Sequence, residues 1–144
     1  MNLFFDTSVL IAASSASHPH HLQALAALSL LRNPNHRGWM SQHAVAETYA
    51  ILTSAPLVPR IHPGEALTII RDNLLPFISI VPLTPEDYRE AIAQMAEAGW
   101  RSGNIYDALH LRCASKQPID RICTFNVKEF QQLAPAVKDK IGLP

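Results

Sequence analysis

Asp6, Glu47 and Asp107, with Asn126 and Glu129 further on, are the side chains best suited to do chemistry in this sequence. Asp6 closes a short apolar run, Leu3-Phe4-Phe5, and two hydroxyl residues, Thr7 and Ser8, follow at once. Glu47 lies among Ala44, Val45, Ala46, Tyr49 and Ala50, and a carboxylate on so apolar a helix needs a partner or a metal if it is buried. Asp107 falls in the first turn of a helix that Asn104 is placed to cap. Taken singly, each has an ordinary explanation: an N-cap for Asp6, a complement to the helix N-terminus for Asp107, an exposed face for Glu47 and a turn for Asn126. Taken together in one cleft, three carboxylates and an amide oxygen would repel one another in water. A hard divalent cation such as Mg²⁺ or Mn²⁺, which prefers oxygen ligands, would stabilise them. That arrangement suits metal-assisted phosphodiester hydrolysis, in which the ion lowers the pKa of a bound water, orients it and offsets charge growing on phosphate.

The elements around these residues decide whether they can meet. Leu3, Phe4 and Phe5 in succession suit a strand buried on both faces, and Asp-Thr-Ser then turns the chain into a helix. Pro19 is placed as the first residue of the next helix, whose apolar face is Leu22, Leu25, Ala26, Leu28 and Leu30. Arg37 to Met40 reads as a second strand, with Ser41 as the N-cap of a helix from Gln42 to about Thr53 that buries Val45, Tyr49, Ile51 and Leu52. A proline-rich loop precedes a helix over Gly64 to Leu75 with Leu67, Ile70 and Leu74 on one side. Phe77 to Val81 is a third buried strand by its β-branched content. Thr84-Pro85-Glu86-Asp87 has the form of a helix start, and Gly99 of its end. The Asn104 helix runs from Ile105 to Lys116, Arg121 to Thr124 forms a fourth strand, and a last helical stretch is separated by Pro135 from a short tail helix. Strands alternating with helices predict an α/β fold, a three-layer α/β/α sandwich with a mainly parallel central sheet. In such sheets ligands collect at the carboxyl ends of the strands, where Asp6 and Asn126 would stand.

Composition narrows the classes. At 144 residues, 48% of them hydrophobic and 17% charged, the chain reads as one globular domain over residues 1–144. No apolar run approaches the roughly 20 residues of a membrane span, and no secretory signal is present, so the cytoplasm is the expected compartment. Cys113 and Cys123 read as buried small apolar residues. Formal net charge is zero, which gives no overall pull on nucleic acid. The bases Arg101, Arg112, Lys116, Arg121 and Lys128 nevertheless outnumber the acids between residues 101 and 128. Arg101, Arg112 and Lys128 are the candidates for contact with a nucleic-acid backbone. His110, three residues after Asp107, reaches the same side of its helix and reads as a packing or supporting residue rather than a ligand. His18, His20 and His21 read as surface residues at a helix start, with zinc binding as the alternative.

Phe4-Phe5-Asp6-Thr7-Ser8-Val9, the helix carrying Glu47 six residues after Ser41, Tyr106-Asp107-Ala108-Leu109 and Thr124-Phe125-Asn126-Val127-Lys128-Glu129-Phe130 together resemble a PIN domain. Within that superfamily the chain is most similar to the VapC-type toxins of toxin–antitoxin pairs. The resemblance implies a PIN-like fold and a Mg²⁺- or Mn²⁺-dependent endoribonuclease. It also implies a homodimer, and a small antitoxin protein that covers the acidic cleft. It assigns the metal to Asp6, Glu47 and Asp107, with Asn126 completing the catalytic set and Thr7, Ser8, Glu129 and His110 supporting it. Asn126 stands where many relatives carry aspartate, which leaves the number of ions at one or two. The helices over Leu22 to Leu31 and Gln42 to Leu52 offer surface for a dimer or an antitoxin helix.

Three other readings remain at this point: a PIN-like module that binds without catalysis, which Asn126 favours, a solitary RNA-processing or DNA nuclease, and a haloacid dehalogenase-like phosphatase. The last also opens on a strand ending in Asp, but wants a second Asp where Ser8 stands.

Overall fold

The computed structural model describes residues 1–144. Its sheet contains β1 (Asn2–Phe5), β2 (Arg37–Ser41), β3 (Ile78–Val81), β4 (Arg121–Cys123) and β5 (Ile141–Gly142), in the order β3-β2-β1-β4-β5 with every pairing parallel. β1 is central because its residues are apolar on both faces. Leu3 and Phe5 enter one core layer with Val9, Leu10, Ala24 and Ala27, whereas Phe4 points the other way, to Cys113, Ile122 and Phe130. All three side chains are at most 1% exposed.

The helices are α1 (Thr7–Ser14), α2 (His21–Ser29), α3 (Gln42–Ser54), α4 (Pro63–Thr68), α5 (Pro85–Ala98), α6 (Asn104–Ser115) and α7 (Val127–Leu133). A π-helical stretch, Ile69–Leu74, extends α4, and short 3-10 segments cover Leu30–Arg32 and Pro135–Lys140. Several starts and stops follow the local code. Ser41 Oγ accepts the Ala44 N–H at 3.0 Å as N-cap of α3. Thr84 and Asp87 form a reciprocal capping box at α5, and Gly99 ends that helix at φ 74°, a left-handed conformation that glycine adopts without strain.

Other expectations need correction. α2 begins two residues beyond Pro19 and buries Ala24 and Ala27, while Leu22 is 80% exposed and Leu25 and Leu30 also face outward. Ala24 and Ala27 join Val9, Leu10, Ala12 and Ala13 of α1 in one core cluster, with Leu28 partly buried against it. α3 likewise buries Ala44, Thr48 and Leu52, leaving Tyr49 and Ile51 exposed, and Leu67 on α4 is exposed. β3 is an edge strand in which Ser79 and Ile80 are exposed, as is Phe77 just before it, rather than a buried one. Asn104 is the first residue of α6 and makes no cap bond. β5, only two residues long, went unforeseen. Cys113 and Cys123 are buried and free, and burial pushes both thiols up to about 11. No helix is long and apolar enough to cross a membrane.

Candidate active site

β1 leads to β2 on one side and pairs with β4 on the other, so the sheet order reverses beside Asp6. Such a switch point, at the carboxyl ends of the strands, is where ligands settle in open α/β sheets. Asp6 is 2% exposed, with its backbone N–H bonded to the Cys123 carbonyl at the end of β4. Its Oδ2 accepts from Ser8 Oγ at 2.7 Å and from Thr124 Oγ1 at 2.9 Å. Each of those hydroxyls in turn accepts a backbone N–H, from Phe125 and Asn126 respectively. The turn after β4 therefore fixes Asp6 through two hydroxyl relays, in which each bond polarises the next.

Asp6 Oδ1 faces a buried imidazole. His110, 1% exposed on α6, places Nε2 at 3.7 Å from Asp6 Oδ1, 3.6 Å from Glu47 Oε1 and 3.4 Å from Thr7 Oγ1. Its Nδ1 lies 2.6 Å from Ser41 Oγ. α3 contributes Glu47 and, one turn earlier, His43, whose Nε2 is 3.2 Å from Glu47 Oε2. Burial acts to raise Glu47, but hydrogen bonds from His110 and Thr7 and the charges of His110 and His43 outweigh it and hold the carboxyl below its usual range. Burial likewise acts against the His110 cation. The bond to Glu47 and the charges of Asp6, Glu47 and Asp107 prevail, and its pKa is raised.

For Asp107, three residues before His110, the balance goes the other way. Burial first, then the charges of Asp6, Glu47 and Glu129, push it up to about 6, against the opposing pull of the His110 charge. Asn126 and Glu129 are exposed beyond β4, and the Asn126 side chain makes no cap bond to α7. Arg112 is committed elsewhere: its guanidinium binds Asp87 and Glu90, and Lys116 also binds Asp87. Arg101 and Lys128 remain exposed.

The donor set suits a hard cation in chemistry and in charge, since Asp107 is destabilised by its neighbours' negative charge. As they stand, no three His, Cys, Asp or Glu side chains are disposed to hold one ion. Mg²⁺ does not require such a cage: it keeps several waters and takes one or two carboxylates together with substrate phosphate oxygens. Three contributors to the centre are not singled out by the sequence: Ser41 reads there only as a cap, Thr124 only as part of a motif, and His43 has no role. His43 four residues before Glu47 was the available signal, because that spacing puts both on one helix face.

The PIN domain profile matches residues 3–134. This chain is a PIN-domain protein. The PIN domain is 33% identical over 104 residues to Ribonuclease VapC40 of Mycobacterium tuberculosis, covering 72% of each chain, and thus belongs with the VapC proteins. It is 29% identical over 107 residues to Ribonuclease VapC27 of the same organism, covering 74% of this chain and 72% of that one. Its fold matches the crystal structure of M. tuberculosis VapC20, described as a sarcin-ricin loop cleaving toxin, with a TM-score of 0.69 at 20% identity over 94% of this chain and 95% of that one. It also matches Rickettsia felis VapBC2 bound to a DNA fragment from its promoter, at TM-score 0.69 and 18% identity over 99% and 98% of the two chains. At those identities the structures speak for the fold: a parallel sheet flanked by helices, as the strand–helix alternation predicts, with β5 added as a fifth strand.

Proposed function

We propose that this PIN domain is a Mg²⁺- or Mn²⁺-dependent endoribonuclease and the toxin of a toxin–antitoxin pair. The observation that carries the reading is the gathering of Asp6 and Glu47 about one imidazole, His110 Nε2 at 3.7 and 3.6 Å. The same helix carries Asp107, whose carboxyl is pushed up to about 6 by burial and by the charges of Asp6, Glu47 and Glu129. The ribonuclease names of its relatives support the same chemistry. Asp6, Glu47 and Asp107 supply the oxygen donors, and Asn126, exposed at the mouth, supplies an amide oxygen without charge. When bound, the ion would polarise a water for in-line attack on phosphorus and offset charge on the phosphate oxygens.

The chain's own groups prepare that site. Ser8 and Thr124 hold Asp6 Oδ2, so that carboxylate cannot rotate away. His110 stands between Asp6 and Glu47, and as a cation donates from Nε2 toward both acids while Ser41 accepts from Nδ1. It keeps the two carboxylates from repelling one another before any ion arrives. Thr7 Oγ1 reaches the same imidazole and Glu47.

The reading extends to a cytoplasmic protein of one domain that forms a homodimer and is silenced by a small antitoxin. The exposed Leu22, Leu25, Tyr49 and Ile51 on α2 and α3 give such partners apolar surface. A small DNA-binding protein encoded immediately upstream is expected, and its absence would favour a solitary nuclease. The catalytic claim is tested with purified protein, Mn²⁺ and a panel of structured RNAs. Cleavage by the wild type that is lost in Asp6→Ala and Asp107→Asn supports it. Cleavage that survives both substitutions contradicts the assignment, and no cleavage together with no divalent-ion binding leaves only a binding module.

A further inference from the structure

Two aromatic stacks lie at opposite ends of the acid row. At one end the His43 and Tyr106 rings are 4.9 Å apart and within 5° of parallel. His43 touches Glu47, and Tyr106 is 47% exposed beside Asp107. At the other end the His20 and Phe125 rings are 4.6 Å apart at 20°, and the Phe125 N–H binds the same Ser8 hydroxyl that holds Asp6. His20 is exposed. Through shared contacts the order is Tyr106, His43, Glu47, His110, Asp6, Ser8, Phe125, His20. Phe125 packs partly against the core, but Tyr106 and His20 present their rings to solvent, and an exposed aromatic face costs hydration that burial against a ligand recovers.

Resting on the nuclease reading, we propose that these stacks seat unpaired nucleobases on either side of the phosphate presented to the acids. Tyr106 is the platform at one end and His20 at the other, each backed by its partner ring. The need for such platforms follows from charge. The chain has no net charge, and the acid row repels a phosphate backbone, which offsets the counterion release that Arg101 and Lys128 supply. Base–aromatic stacking is independent of charge and tolerant of sequence, because every base has a π-face. The substrate class is accordingly a single-stranded or splayed RNA segment rather than a duplex, whose bases are already stacked on one another.

The test measures binding in EDTA, where hydrolysis is off, by fluorescence anisotropy. The probes are a short fluorescein-labelled oligoadenylate and an abasic ribose-phosphate strand of the same length. The wild type is expected to prefer oligoadenylate, and Tyr106→Leu and His20→Leu each to lose on the order of 10-fold affinity for it while binding the abasic strand as the wild type does. Tyr106→Phe, which keeps the ring, should retain wild-type affinity and reports on folding. If Tyr106 only orients His43, its loss weakens both strands equally, and that result overturns the proposal. Equal wild-type affinity for the two strands, or no binding of either, also overturns it. Because no cleavage is read, base-dependent binding without hydrolysis in Mn²⁺ would defeat the nuclease reading alone, and hydrolysis without base-dependent binding would defeat the stacking alone.

Discussion

Ser41 Oγ and His110 Nδ1 are 2.6 Å apart although 69 residues separate them in the chain. Ser41 ends β2 and caps α3, and His110 sits in the middle of α6. One hydroxyl thus ties a strand end to the helix that carries Asp107, while it also accepts the Ala44 N–H. The acids depend on that tie, because His110 is the group that lies between Asp6 and Glu47.

Ser41→Ala removes both roles at once. A lost N-cap costs about 1 kcal/mol, and a buried ring nitrogen left without its partner costs about 1–3 kcal/mol more. The expected loss, read as a lower urea midpoint at unchanged slope, is therefore roughly 2–4 kcal/mol. Cleavage should fall with it. A midpoint that moves by no more than an ordinary surface substitution would show that His110 is held by other contacts.

Asp107 gives a pH dependence of stability opposite to that of an ion-paired acid. Its folded value, about 6, lies above its ordinary 3.8, so the folded state holds this proton more tightly than the unfolded chain. The contribution of Asp107 is therefore most favourable below its ordinary value and is lost as pH rises through about 6. His110, also raised, loses its contribution in the same direction at higher pH. Asp107→Asn should melt higher than the wild type at neutral pH, by about 1 kcal/mol once partial exposure is allowed for, and lose cleavage. Melting curves across mildly acidic to neutral pH check this. An Asp107→Asn protein that is less stable than the wild type at neutral pH would contradict the charge crowding.

The basic residues divide by what they already bind. Arg101→Ala and Lys128→Ala should each reduce the slope of log affinity for RNA against log salt by about 1. Arg112→Ala should leave that slope unchanged and destabilise the fold, because its guanidinium is spent on Asp87 and Glu90 at the start of α5. Asp87 is itself held far below the usual carboxylate range by Lys116, Thr84 and Arg112. Affinity measured at a series of salt concentrations separates the three. A reduced slope for Arg112→Ala would return that residue to the RNA.

Local chemistry made much of this readable from the chain. Three apolar residues followed by Asp-Thr-Ser specify a buried strand and its cap, and the strand–helix alternation specifies a parallel sheet, so Asp6 could be placed at the sheet's mouth. Glu47 was conspicuous because its neighbours are alanines. The Ser41–His110 bond was not readable, since nothing in either residue's surroundings points across the fold. Nor was the packing side of α2: periodicity favours large residues, yet Ala24 and Ala27 are the ones buried against α1, while Leu22 and Leu25 face outward. β5 has only Ile141 and Gly142, too few for an alternation to register.

Binding of Mn²⁺, followed by the loss of its free-ion paramagnetic resonance signal, examines the acid centre without requiring its RNA to be known. Titrated protein should take up the ion at this centre, and Asp6→Asn and Asp107→Asn should each abolish that uptake while remaining folded. Undiminished uptake by both variants, or none by the wild type, would show that Asp6, Glu47 and Asp107 do not serve a common cation.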